Sequence, residues 1–239
     1  MFLSVLNKIK KRWFGNIWFK RDFTTFKKGN DGRFDVDWKN RFPCLNDKTT
    51  NTSFDAHYIY HPAWAARILR DTKPERHIDF SSTLHFSTIV SAFIPIEFFD
   101  FRPATLDLSG LLTRKADVTN LSFSDNSIKS LSCMHTVEHI GLGRYGDPID
   151  PAGDLKAMNE LQRVLANGGD LLFVVPVGHS MIVFNAHRIY SYDQIINYFK
   201  DLKLNQFSLV IDSGEFIMNA DPQLANQQNY GCGCFWFKK

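Results

Sequence analysis

Three features of the chain predict an α/β fold with a doubly wound, mostly parallel sheet. From Arg76 onward, short apolar runs alternate with stretches of helical period, the pattern of strands joined by crossover helices. The run DLLFVVPV (Asp170–Val177) is apolar almost throughout, as a strand covered on both faces must be. The last two runs, QFSLVID and CGCFWFKK, have only a loop between them, so they should pair antiparallel.

The elements follow in order. HYIYHPAWAARILRDT (His57–Thr72) reads as a helix with Pro62 in its first turn, where no N–H is needed. RHIDF (Arg76–Phe80) is the first strand, LHFSTIVSAF (Leu84–Phe93) a helix and IEFFDF (Ile96–Phe101) the second strand. A short third strand is expected near Leu111–Ala116 and a fourth at SIKSLSCMH (Ser127–His135). The helix DPAGDLKAMNELQRVLA (Asp150–Ala166) stops at Asn167-Gly168-Gly169. SYDQIINYFKDL is a helix with Ser191 as N-cap. With Asp170–Val177 and the final pair, seven strands are expected.

Ahead of this domain (57–239) stand two other segments. Residues 1–21, MFLSVLNKIKKRWFGNIWFKR, carry Phe2, Leu3, Leu6, Ile9, Trp13, Ile17 and Trp18 at near-helical spacing among six lysines and arginines. Such a basic amphipathic helix can lie on an anionic membrane surface or pack on protein; it is too charged to span a bilayer. Residues 22–56 are polar and without period, an irregular connector.

Length and composition bound the rest. A chain of 239 residues can bury about 70 % of its unfolded surface. A net charge of +3 is too small to imply nucleic acid. Cys44, Cys133, Cys232 and Cys234 fit neither a disulfide framework nor paired zinc ligands, and Cys232 and Cys234 read as buried thiols on one side of a strand. His135 and His139 lie four apart, but in a strand-to-loop context, so no metal site is expected. A reducing cytoplasm, with the inner membrane face as a possible address, is the expected location.

Ligands of open α/β sheets bind beyond the carboxyl ends of the strands. Asp79 ends the first strand, Asp100 the second, and Asp117 follows the third. Asp100 lies about 20 residues after Asp79, the spacing at which a strand-end acid grips ribose hydroxyls; each acid could instead bond a neighbouring loop.

DVTNLSFSDNSIKSLSCMHTVEHI followed by LQRVLANGGDLLFVVP resembles the middle of class I S-adenosylmethionine-dependent methyltransferases. The loop HIGLGRYGDPIDPAGDL, with VPVG and FNAHRIYS, resembles a branch described only as a domain of unknown function, whose bacterial members often accompany surface-polysaccharide genes. The likeness implies a Rossmann-like sheet of seven strands, the last antiparallel, and S-adenosylmethionine as cofactor. It further implies that Asp100 holds the ribose, Asp117 meets the adenine amine with Val118 on the ring, and His135 and Thr136 border the methionine portion. The family places glycines after the first acid. Here the turn reads DFSSTLHFS, where Ser81 and Ser82 can bond the cofactor's carboxylate but supply no φ > 0 freedom.

The long polar loop within Cys133–Leu155 should stand over the transferred methyl group and offer Arg144, Tyr145, Asp147, Asp150 and Asp154 to an acceptor. His139, oriented by Glu138, is the first candidate base and His135 the second; Glu138 and His139 could equally form a structural ion pair. A second polar cluster, His179, Asn185, His187 and Arg188, follows the fifth strand. Arg188 can meet an anion or simply lock two loops together. The expected reaction is methylation of a sugar hydroxyl in surface-polysaccharide or lipid-linked glycan synthesis. Two alternatives stand beside it: a catalytically degenerate partner in a glycan-assembly complex, or a nucleotide-sugar-binding transferase.

Overall fold

The computed structural model describes residues 17–239, and the chain divides into two compact units, one ending at Phe54 and one running from Asp55 to Lys239. In the first unit a helix, α1 (residues 17–28), packs Phe19 and Phe23 on Trp38, with ring centroids 6.0 and 4.9 Å away. The ammonium of Lys48 lies 5.0 Å from the Trp18 ring. The helix therefore continues through 22–28, which the sequence predicts to be irregular. The aromatic partner that holds Phe23 is distant in sequence, so period alone does not reveal it. Residues 1–16 of the expected amphipathic helix lie outside the described residues.

The second unit opens with α2 (Ala56–Thr72), capped by the Asp55 carboxylate on the Tyr58 N–H. Pro62 is thus inside the helix rather than in its first turn; the Asp55 cap starts the helix more than a turn earlier than Pro62 suggests. Then come β1 (His77–Asp79), α3 (Leu84–Val90), β2 (Ile96–Asp100), β3 (Leu111–Lys115) and β4 (Ile128–Met134). They are followed by α4 (Gly153–Val164), β5 (Leu165–Val177), a small hairpin of β6 (Met181–Val183) and β7 (His187–Ile189), and α5 (Tyr192–Tyr198). The chain closes with β8 (Lys203–Val210), β9 (Phe216–Ile217), α6 (Pro222–Asn226) and β10 (Gly231–Lys238).

The main sheet runs β3-β2-β1-β4-β5-β10-β8-β9. Strands β1 to β5 pair in parallel, and β10 inserts antiparallel between β5 and β8. The seven expected strands are all present; β9 adds a two-residue edge strand. The predicted polar cluster after the fifth strand folds as the β6–β7 hairpin, and α4 starts at Gly153 rather than Asp150.

The sheet buries both faces. Leu131, Cys133, Phe173, Val175 and Phe235 face α4 and α5, while Met134, Leu172, Val174, Cys232 and Cys234 belong with α2 and α3. Each fully buried Leu, Val or Phe contributes about 1.5–3 kcal/mol relative to exposure. Because β1 sends its chain to one side and β4 lies on its other side, a crevice opens at the carboxyl ends of these two strands.

Candidate functional site

A cavity of about 330 Å³ fills that crevice, within the range of small-molecule sites. Its walls come from the carboxyl ends of four strands. Phe80, Ser81 and Ser82 follow β1, Asp100, Phe101 and Arg102 end β2, Asp117, Val118 and Thr119 follow β3, and His135 and Thr136 follow β4. Tyr145, Asp147, Asp150 and His139 of the long loop border the same space.

The corner after β1 forms without glycine because it does not need one. Among the described residues the positive-φ non-glycines are Lys73, Asn126, His135 and Asn219, so Ser81–Thr83 keep ordinary backbone. The corner is held instead by its own polar groups: Ser82 N–H donates to the Met134 carbonyl at 3.0 Å, and Ser81 Oγ accepts from Met134 N–H at 3.2 Å. The exposed Ser82 hydroxyl stands 3.5 Å from Tyr58 Oη.

Asp79 does not border the cavity. It is completely buried beneath it and accepts hydrogen bonds from Ser81, Ser87 and Ser132. Burial nevertheless pushes its carboxyl up to about 6. His77, held neutral by burial with its pKa driven to about 3, continues the network to Ser130 and Ser132 at 2.7 and 2.8 Å. Ser132 gives its proton to Asp79, so it accepts from His77 Nε2–H, and Nδ1 accepts from Ser130. Asp79, expected among the cofactor-binding residues, thus lies buried outside the cavity lining and bonds the serines around it.

Asp100 and Asp117 are differently placed. Asp100 uses Oδ1 for the Arg102 N–H at 2.6 Å and has Oδ2 left for a ligand. Asp117 uses Oδ1 for the Thr119 N–H and hydroxyl, which aims its carboxylate at the rim beside buried Val118.

The long loop is stapled by its own acids. Asp147 accepts from the N–H groups of Gly141, Gly143 and Tyr145, and Asp150 pairs with Lys156 at 2.6 Å and caps Ala152. Both line the cavity, yet their oxygens are engaged in holding the loop. Gly141 is required on two counts: its φ is +79°, and a Cβ there would stand 2.0 Å from the Asp150 carbonyl oxygen. Asp154 and Arg188 are buried away from the cavity. Asp154 accepts from Tyr190 Oη at 2.9 Å and meets Arg188 at 3.5 Å, while Arg188 donates to the Ile140 carbonyl at 2.7 Å. Arg188 thus locks two loops together, the second of the two roles open to it. The hairpin residues His179, Asn185 and His187 do not reach the cavity, and neither does Arg144, which donates to the Ala186 carbonyl at 3.1 Å.

His139 borders the cavity with a defined tautomer. Its Nδ1–H donates to the Ala186 carbonyl at 2.6 Å, leaving Nε2 as a bare lone pair, and burial lowers its pKa. Glu138 stands behind it. Its Oε1 accepts from His135 Nδ1 at 2.8 Å and lies 3.8 Å from His139 Nε2, and burial raises the carboxyl to about 7. Glu138 does not line the cavity; its hydrogen bond holds the His135 ring, while the His139 ring is held by the Ala186 carbonyl.

The sequence reading missed Arg102, whose guanidinium lies 4.6 Å from the Tyr145 ring centroid, with Arg144 at 5.1 Å. Its position two residues past Asp100 was the available signal. Phe80 and Phe99, stacked at 5.2 Å, form an apolar wall that the strand periodicity did not single out.

Comparison with known proteins adds the following. The profile of a family described as Caenorhabditis protein of unknown function, DUF268, matches residues 116–204. An uncharacterised protein of Methanocaldococcus jannaschii, MJ0638, is 28% identical over 131 residues, which are 50% of this chain and 52% of that protein. The match thus spans about half the length of this relative. Among solved structures, a candidate methyltransferase of Bacillus halodurans, BH2331, aligns with a TM-score of 0.50 at 12% identity, over 74% of this chain and 99% of its own. The [4+2]-cyclase SpnF aligns at 0.51 and 12%, over 74% and 81%. This is the class I methyltransferase fold. SpnF carries a cyclase name on it, so the fold alone leaves the chemistry to the site.

Among the described residues no helix is long and apolar enough to cross a membrane.

Proposed function

We propose that the chain is an S-adenosylmethionine-dependent methyltransferase acting on a hydroxyl of a sugar that carries an anionic group, as lipid-linked glycans do. The observation that carries the cofactor assignment is the cavity bounded by Ser81 and Ser82, Asp100, Asp117 with Val118, and Thr136, one contribution from the end of each of four parallel strands. A ribose fits Asp100 Oδ2 because one carboxylate can accept from vicinal hydroxyls. An adenine fits the slot between Val118 and the Asp117 carboxylate. The serine hydroxyls at the first corner suit the carboxylate of the methionine portion.

The acceptor reading rests on the loop. Tyr145 offers a ring and a hydroxyl at the mouth, and Arg102 beside it favours a carboxylate or phosphate. Methyl transfer from a sulfonium requires mainly alignment of the acceptor oxygen, a contribution that can reach about 7–11 kcal/mol. A loop stapled by Asp147 and Asp150 supplies that rigidity. His139 Nε2 is the group to take the hydroxyl proton.

Calorimetry with S-adenosylhomocysteine tests the assignment. Asp100→Ala should weaken binding by about 1.5–3 kcal/mol, the loss of a charged hydrogen bond. No heat at millimolar ligand, unchanged affinity in the variant, or binding of a nucleotide sugar instead would overturn it.

A further inference from the structure

At the His135 side of the cavity lies a cluster to which the proposed methyl transfer assigns no role. His57 near the start of α2, His135 at the end of β4 and Cys232 in β10 bring two ring nitrogens and one sulfur within 4.8 Å of one another. We propose that these three side chains bind a thiophilic divalent cation, and the chemistry of the donors selects zinc.

The separations suit one ion. Cys232 Sγ lies 3.4 Å from His135 Nε2, and sulfur and nitrogen ligands of a tetrahedral zinc stand about 3.5 Å apart. The centroids of the His57 and His135 rings are 5.5 Å apart, against about 5 Å for two imidazoles on one tetrahedral ion, and their planes lie 11° apart, so the half-buried His57 ring would turn to bring its lone pair onto the ion. Two imidazoles and a thiolate fit zinc, whereas magnesium and calcium require oxygen donors.

The surroundings have the form that metal-binding imidazoles need. Each ligating ring should donate its other N–H to a fixed acceptor. His135 Nδ1 meets Glu138 Oε1 at 2.8 Å, and the His57 ring is stacked on that of Tyr230, with centroids 5.1 Å apart. Two atoms beside the cluster, Glu138 Oε2 and His61 Nε2, are buried with no hydrogen-bond partner. The His61 ring stands 5.0 Å from that of His135. Unpartnered lone pairs of this kind are costly in a dry interior, and a nearby cation offsets that cost.

The backbone points the same way. His135 holds φ +53°, a left-handed conformation uncommon for a residue with a side chain and typical of sites where geometry is over-determined. His135 thus lines the cavity while its Nε2 lies 3.4 Å from Cys232 Sγ. An ion there would tie α2, β4 and β10 together and clamp the wall that His135 presents to the cavity. Cys232 would be bound as thiolate, its proton passing to solvent as the ion enters.

The test uses the full chain stripped of metal and titrated with Co²⁺, followed by absorption spectroscopy. The expected result is one equivalent bound, a near-ultraviolet thiolate-to-cobalt band, proton release on binding, and displacement by Zn²⁺. Cys232→Ser should lose the band, and Glu138→Gln should weaken Co²⁺ about 10–100-fold, the usual effect of removing an outer hydrogen-bond partner. His57 is only partly buried, so folded His57→Ala is the variant of recourse if Cys232→Ser fails to fold; it should bind Co²⁺ at least tenfold more weakly. No band in the folded wild type, a band that survives in Cys232→Ser, or unchanged affinity in His57→Ala would overturn the proposal. These readouts do not depend on methyl transfer.

Discussion

Asp79→Asn probes what the carboxyl beneath the cavity costs the fold. The side chain is completely buried, and three serine hydroxyls donate to it. Burial outweighs those bonds and raises its pKa from the ordinary 3.8 to about 6. Between about pH 4 and 6 the native chain therefore holds a proton that the unfolded chain has already released. Stability should fall as pH rises across that window, because the folded state binds the extra proton. A displacement of about two pKa units corresponds to about 3 kcal/mol. Asparagine cannot ionise, so the comparison of the two proteins removes every other titrating group. Urea denaturation at pH 4 to 7, followed by circular dichroism, measures it. The wild type should lose about 3 kcal/mol relative to Asp79→Asn over that range. A difference that stays constant, or moves in favour of the wild type as pH rises, would show that the serines hold the charged form without penalty and would refute the reasoning.

Three further outcomes follow from the site. Arg188→Met leaves Asp154 buried without its cation and frees the Ile140 carbonyl, and should destabilise by about 3–5 kcal/mol in chemical denaturation; a loss below about 1 kcal/mol would mean the loops are held otherwise. Gly141→Ala places a Cβ against the Asp150 carbonyl at positive φ, so it should disorder the stapled loop and abolish turnover while cofactor affinity changes little, read by calorimetry and product formation together. His139→Ala should slow turnover about 10²–10⁴-fold with cofactor affinity nearly intact; full activity in that variant would place the proton elsewhere.

Much of the fold was legible because it is written in local periods. The apolar run Asp170–Val177, the Ser191 cap and the acids at the ends of β1 and β2 all report on residues within a few positions of themselves. Strand ends could therefore be located, and with them the side of the sheet where Asp100, Asp117 and His135 would gather. Legibility failed where a role depends on a distant partner. Asp79 reads like Asp100 in sequence, yet Ser132, from the neighbouring strand β4, helps to hold it below the cavity. Arg188 could meet an anion or lock two loops together, and only its partners, Asp154 and the carbonyl of Ile140, decide for the lock. The glycine-free corner supplies no φ > 0 freedom, and its φ values and its bonds to Met134 show that it needs none beside the cavity.

By itself, then, the sequence determined the alternation of elements, the antiparallel ending and the strand-end acids. These depend on hydrophobic period and turn chemistry, which act over a few residues. Only the tertiary structure decided which acids meet a ligand and which support the floor, and it alone brought Cys232 to His135 across 97 residues of chain. Burial, and with it the proton affinity of Asp79, Glu138 and the histidines, is a property of packing from all sides, and no stretch of sequence contains it.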